Sequence, residues 1–222
     1  MAEQSTSRLS NSEAIAAHLL EAMQSQLPHV HGRSWEEIKD AIFTRTATLA
    51  DQNAARVIDG LSQQWVIFCS FLLAAYRELQ PHAGDAGEVL SILRKAMAGV
   101  MKERITLADR FGISQDAPEE AFARIAENCK RRGEEQYGQG WTFVQDVQDE
   151  MHSFINIEKC FFNDFFRAND APEMTPLFCA MDSLWSDELE QPRYGVHFAR
   201  PTTLAQGDDM CRFQFTKSAS KR

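Results

Sequence analysis

The chain has no excess of basic residues, no long apolar run and few cysteines, and each shortage removes a class of protein. Lys and Arg number 23 against 32 Asp and Glu, a formal charge of -9. A nucleic-acid binder normally presents a basic face and a membrane-surface helix a Lys/Arg cluster, so neither partner is expected. The longest apolar run, Trp65 to Ala75, is broken by Ser70 and falls short of the roughly 20 residues that a membrane helix needs. With 11 Gly and 7 Pro in 222 residues, collagen-like and low-complexity chains are excluded. The five cysteines (Cys69, Cys129, Cys160, Cys179 and Cys211) are odd in number and widely spaced, which suits a reducing compartment. The polar opening MAEQSTSRLSNSE lacks the apolar stretch of a secretory signal, and a cytoplasmic location is expected. No G-x-G-x-x-G, P-loop, H-E-x-x-H, C-x2-C or H-x3-H spacing occurs, so no cofactor and no metal is expected.

What is there is the composition of a folded domain, 44% hydrophobic and 25% charged. Residues 1–12 and 217–222 read as solvated tails, and residues 13–216 as a single α+β domain. From Ser12 to about Gly133 the pattern is helical. Ser12 is expected to cap a helix with Ile15, Leu19 and Met23 on one face, and Ser34 with Glu36 and Glu37 marks a second start. Helix breaks are expected near Pro28, Gly32, Pro81, Gly84 and Gly112. Val57, Leu61, Trp65, Phe68, Leu72 and Tyr76 recur at three- and four-residue steps, which predicts one long buried helix over 51–79. Glu88–Phe111 and Pro118–Lys130 read as two more helices, and EEQYGQG as a loop. Beyond it, Trp141–Val147 and Met151–Asn156 form a predicted hairpin. Helices Ile157–Ala168 and Glu173–Glu190 follow, then strands Tyr194–Arg200 and Met210–Thr216. A helical N-terminal layer (13–133) packed on a small four-stranded antiparallel sheet (141–216), with two inserted helices in the order ββααββ, is the resulting fold. The apolar face of 51–79 and the phenylalanines from Phe161 to Phe166 make a homodimer through the helices the expected assembly.

The candidate chemistry lies in the last third. Cys160 stands at a helix start, where unpaired amides and the helix dipole favour a thiolate, with Asp164 one turn along. Cys179 and Asp182 are three apart on one helix face. The plain alternative for each pair is packing, because cysteine is among the most often buried residues. Cys69 and Cys129 read as small hydrophobes. His18, His29, His31 and His82 read as surface residues; His152 and His197 fall in strands, where each faces either core or solvent.

The run IEKCFFNDFFRANDAPEMTPLFCAMDSLWSDEL followed by VHFARPTTLAQGDDMCRFQF resembles the L-2-amino-thiazoline-4-carboxylic acid hydrolase family. The steps that match are Cys160; Pro172, Glu173 and Met174; Phe178, Cys179 and Asp182; Arg200, Thr203, Leu204, Ala205 and Gly207; then Cys211 and Phe213. Met174 replaces the usual Leu, and Arg212 stands where an acidic residue is common, which bears on the ligand charge preferred. The resemblance implies hydrolysis of a small cyclic amidine-like carbon held between sulfur and nitrogen, opening a thiazoline ring toward a carbamoyl-cysteine. In that reading Cys160 is the nucleophile, Asp182 or Glu173 handles protons, Arg200 anchors a substrate carboxylate, and Cys179, Cys211 and His152 line the substrate pocket. The same segment also looks like the small-ligand-binding domain of the vinyl reductase type, which implies instead a non-catalytic, dimerising binding module. A redox or metal sensor using Cys160, Cys179 and Cys211 would need three sulfurs within ligand reach.

Overall fold

The protein is described from a computed structural model over residues 2–27 and 29–218, with side chains from Ala14 onward. The break expected at Pro28 and residues 219–222 of the expected C-terminal tail lie outside the described residues. The chain divides into two compact units, Met1–Ala54 with Ile67–Glu103 and Ala55–Val66 with Arg104–Arg222. No helix among the described residues is long and apolar enough to cross a membrane.

The first unit is helical: α1 (Ala2–Gln26), α2 (Trp35–Gln52), the larger part of α3 (Gly60–Leu79) and α4 (Ala86–Met101). Ser12 lies within α1 and not at its start, while Leu19 and Met23 are buried as their spacing requires. Ser34 and Glu37 close a full capping box on α2, the Glu37 amide donating to Ser34 Oγ at 3.3 Å and the Ser34 amide to Glu37 Oε2 at 2.6 Å. Asp85 caps α4 by accepting the Glu88 amide at 2.8 Å. α1 lies along α4, with Val89, Leu93 and Met97 buried. Glu78 near the end of α3 accepts from Arg33 at 3.1 Å and Arg45 at 2.6 Å, tying it to α2.

The helix expected over 51–79 is interrupted. Asn53 ends α2, with Nδ2 donating to the Leu49 carbonyl at 2.9 Å, and a turn at Ala54–Arg56 follows. Asp59 then restarts the helix by accepting the Ser62 amide at 2.6 Å. Val57, counted in the apolar stripe, is therefore outside any helix and 40% exposed. His82, read as a surface residue, is buried.

The second unit holds α5 (Leu107–Phe111), α6 (Ala121–Tyr137), β1 (Thr142–Gln148), β2 (His152–Lys159), α7 (Phe161–Ala168), α8 (Thr175–Cys179), α9 (Ser183–Leu189), β3 (Val196–Ala199) and β4 (Cys211–Lys217). The strands form one antiparallel sheet in the order β1-β2-β4-β3, so the fold is α+β as the alternating segments predict. Lys217, assigned to the tail, is the last residue of β4.

Helix boundaries differ from expectation at several points; β2 continues to Lys159, so the helix expected from Ile157 begins only at Phe161, after the N-cap Cys160. The segment Glu88–Phe111 splits because Thr106 caps a new helix by accepting the Asp109 amide at 3.1 Å, and Gly112 ends it in the left-handed region at φ 72°. α6 continues through Gly133 to Tyr137, and the missing side chain leaves room for the Phe143 ring of β1; a Cβ would sit 2.9 Å from it. Glu173–Glu190 is a turn at Pro172–Met174, then α8, a turn at Ala180–Asp182 and α9. Cys179 therefore closes a short helix and is not mid-helix. The core of this unit centres on Trp185, fully buried, with the Phe111 ring 5.0 Å away edge-on and Phe215 at 6.0 Å. Phe161, Phe165 and Phe166 of α7 are buried as well.

Candidate active site

The sheet register brings distant residues to one end. β2 runs toward Cys160, which follows it directly as the N-cap of α7. Cys211 opens β4 and pairs with Ile157, near that end of β2. Ala199 at the end of β3 pairs with Gln214, so Arg200 leaves β3 beside the start of β4, its guanidinium 5.7 Å from the Phe213 ring centre. Across this end lie α8 and the turn that follows it. Arg200 donates from Nη1 to Asp182 Oδ2 at 2.5 Å and from both terminal nitrogens to the Cys179 carbonyl at 3.3 Å. The Trp185 indole donates to Asp182 Oδ1 at 3.1 Å. Asp182 and Arg200 keep 20% and 21% side-chain exposure, so the pair is largely enclosed but still touches solvent.

Burial sets the protonation states here. It pushes the Cys160 thiol up to about 12, against the pull of the Asn163 and Phe162 amides, and Cys179 and Cys211 push the same way. The helix start expected to acidify Cys160 is therefore present but outweighed by desolvation. Burial likewise takes Cys179 up to about 11, although Arg200 opposes it. Cys211 is raised by burial despite the Leu204 amide, which donates to its Sγ at 3.3 Å. Asp182 is raised because burial outweighs Arg110, Arg200 and its two hydrogen bonds. These mutual effects place Cys160, Cys179, Cys211, Asp182 and Arg200 in one electrostatic neighbourhood.

Of the other expected site residues, His152 lies elsewhere. His152 begins β2 and pairs with Thr216, eight positions before Cys160 and so roughly 26 Å from it at the strand rise; its ring meets Asp149 at 3.1 Å. Glu173 is exposed in the Pro172–Met174 turn. Arg212 is occupied by Thr202 Oγ1 at 2.9 Å and Asp209 at 3.2 Å. Among the described residues no group of three or more His, Cys, Asp or Glu is arranged to hold a metal ion.

The structure adds Arg110, Tyr137 and Cys129, which sequence reasoning left on a helix, in a loop and in the packing. Arg110 Nη1 donates to Tyr137 Oη at 2.8 Å and to Gln136 Oε1 at 3.1 Å, with the guanidinium 5.0 Å from the Tyr137 ring centre. Burial works against the Arg110 charge, but Tyr137, Asp182 and Cys129 outweigh it and raise its pKa. Tyr137 is raised by burial, opposed by Arg110 and reinforced by Asp182 and Cys160. Burial takes the Cys129 thiol up to about 12. The only sequence signal was Arg110 three residues after Leu107, on the apolar side of its helix. Tyr137 also joins an aromatic wall: its ring stacks on Trp65 at 5.6 Å and is tilted to Trp141 at 4.9 Å, and Trp65 meets Phe162 edge-on at 5.3 Å.

A family model described as L-2-amino-thiazoline-4-carboxylic acid hydrolase matches residues 64–215. No curated protein and no solved structure matches the chain.

Proposed function

Because the chain belongs to the L-2-amino-thiazoline-4-carboxylic acid hydrolase family, we propose that it hydrolyses a small cyclic amidine of the thiazoline type, with Cys160 as nucleophile and Asp182 as the proton-transfer group. The observation that carries the reading is the meeting of Cys160, Cys179, Cys211 and the Asp182–Arg200 pair, from four separate segments, at one end of the sheet.

A Cys160 thiol held near 12 is neutral at pH 7, so its proton leaves as the sulfur adds. The ring nitrogen of an amidine is itself a base: sulfur bonds to the carbon between S and N while the proton passes to that nitrogen. The ring C–S bond then breaks, and Asp182 relays a proton from the isothiouronium nitrogen so formed to the departing sulfur, a task suited to a carboxylate whose pKa burial raises. Water attacks the resulting isothiourea on Cys160, the thiol leaves with one proton, and the sum is substrate plus water to a carbamoyl-cysteine. Arg200, already committed to Asp182 and the Cys179 carbonyl, acts as a positioning residue.

The test is incubation of the protein with a panel of cyclic amidines, thiazolines and carbamoyl amino acids, followed by mass detection of water addition. Addition to a thiazoline or cyclic amidine, lost in Cys160→Ser, is expected. Absence of water addition to every member overturns the reading. The neutral state of the thiols favours one second reading, a ligand-binding module of the vinyl reductase type; its signature is a panel member retained unchanged.

A further inference from the structure

We propose that Arg110 and Tyr137 form an anion-holding subsite that takes the carboxylate of a small amino-acid-derived ligand, in place of the Arg200 anchor that sequence reasoning favours. The location at the reacting centre rests on the hydrolase reading; the anion site itself rests on donor geometry and charge.

The donor argument is directional. Arginine has only donors, so the Tyr137 oxygen must accept from Arg110 Nη1 at 2.8 Å, and the hydroxyl hydrogen points elsewhere. Arg110 Nε is buried with no hydrogen-bond partner. A buried guanidinium N–H without a partner is costly, and the Tyr137 hydroxyl held by Nη1 of the same guanidinium is a second hydrogen-bond donor in the site. The Nε edge of a guanidinium is a planar fork of donors that suits a carboxylate. By contrast, Arg200 places Nη1 on Asp182 at 2.5 Å and both terminal nitrogens on a carbonyl, so a ligand carboxylate there would have to displace Asp182.

Charge points the same way. The groups that act on one another here include two guanidiniums, Arg110 and Arg200, and one carboxylate, Asp182. Asp182 is paired with Arg200, whereas the hydrogen bonds of Arg110 go to the neutral acceptors Tyr137 Oη and Gln136 Oε1, so an anionic group beside Arg110 is favoured. Phe111 beside Arg110 packs edge-on against Trp185, whose indole holds Asp182, which fixes α5 against the segment carrying the carboxylate. The aromatic wall of Tyr137, Trp65 and Phe162 offers a flat apolar side for the ring bearing that carboxylate.

The test uses calorimetric titration with thiazolidine-4-carboxylate and its carboxamide, a saturated ring that has no amidine to hydrolyse. The wild-type protein is expected to bind the carboxylate at least roughly tenfold more tightly than the carboxamide, the scale of a charge-assisted hydrogen bond. Arg110→Ala is expected to abolish that preference and Tyr137→Phe to reduce it, with native circular dichroism. Should Arg110→Ala fail to fold, Arg110→Lys keeps the charge but removes the Nε donor, and a weakened preference is expected. No preference in the wild-type protein, or a preference unchanged in a folded Arg110 variant, overturns the proposal. Loss of turnover on every amidine with the carboxylate preference intact sinks the hydrolase reading alone.

Discussion

Arg200 and Asp182 are joined across 18 residues of chain by a 2.5 Å ion pair, and the same guanidinium holds the carbonyl of Cys179. One side chain at the end of β3 thereby fixes both the carboxylate and the helix end that carries a thiol. Replacing Arg200 with Ala leaves Asp182 enclosed without its nearest countercharge, a loss of about 2–3 kcal/mol for a pair that is partly exposed. Urea denaturation measures it. The double variant Asp182→Leu/Arg200→Met is expected to recover most of that loss, because no unpaired charge remains; an equally unstable double variant would show that the pair acts through packing instead.

Cys160→Ser is expected to remove turnover by about 100-fold or more, since a hydroxyl is a far weaker nucleophile, while ligand affinity stays near wild type. Cys179→Ser, which keeps the carbonyl that Arg200 holds, is expected to cost less than about tenfold. Steady-state kinetics on the substrate found in the panel decide between them, and the reverse ranking would move the nucleophile to Cys179.

Alkaline pH is expected to destabilise the fold. Burial raises Cys160 and Cys129 from 9.0 to about 12, and Cys179 to about 11. The folded protein keeps protons that the unfolded chain has released above pH 9, so stability falls as pH rises from about 9 toward 12 and is intact below that window. Urea midpoints at pH 8 and pH 10.5 measure the slope, and Cys160→Ala is expected to flatten it. A midpoint independent of pH over that interval would mean the thiols are open to water.

Two glycines that resist substitution differ in cause. Gly133→Ala favours the helix by about 1 kcal/mol, but its Cβ would meet the buried Phe143 ring at 2.9 Å, and overpacking of this kind costs about 1–3 kcal/mol; a small net destabilisation is expected. Gly138 stands at φ 80°, ψ −164°, a region essentially confined to glycine, and a Cβ would lie 2.6 Å from Asp59 Oδ2, the acceptor of the Gln139 amide. Gly138→Ala is expected to be the more damaging of the two by thermal melting; a milder effect than Gly133→Ala would contradict the loop geometry.

Periodicity alone made the α+β class legible. Leu19 and Met23 share a buried helix face, and Phe213 and Phe215 a buried strand face, because steps of 3.6 and 2 residues decide which side of an element is apolar. The switch from one period to the other past Gly133 marks the approach to the sheet, although α6 itself runs on to Tyr137. The ordered steps around Cys160, Cys179, Asp182, Arg200 and Cys211 carried the family likeness for the same reason, since local order is written directly in the chain. Tertiary structure decided the rest. Val57 fits a helical stripe, yet Asn53 and Asp59 break the helix around it by hydrogen bonds that spacing does not encode. Cys160 does stand at a helix start, but the charge of its thiol depends on desolvation, a property of what surrounds it in three dimensions. Arg110 and Tyr137 looked like ordinary residues of a helix and a loop, because a partner 27 positions away and an unpaired donor exist only once α5, α6 and the sheet have packed.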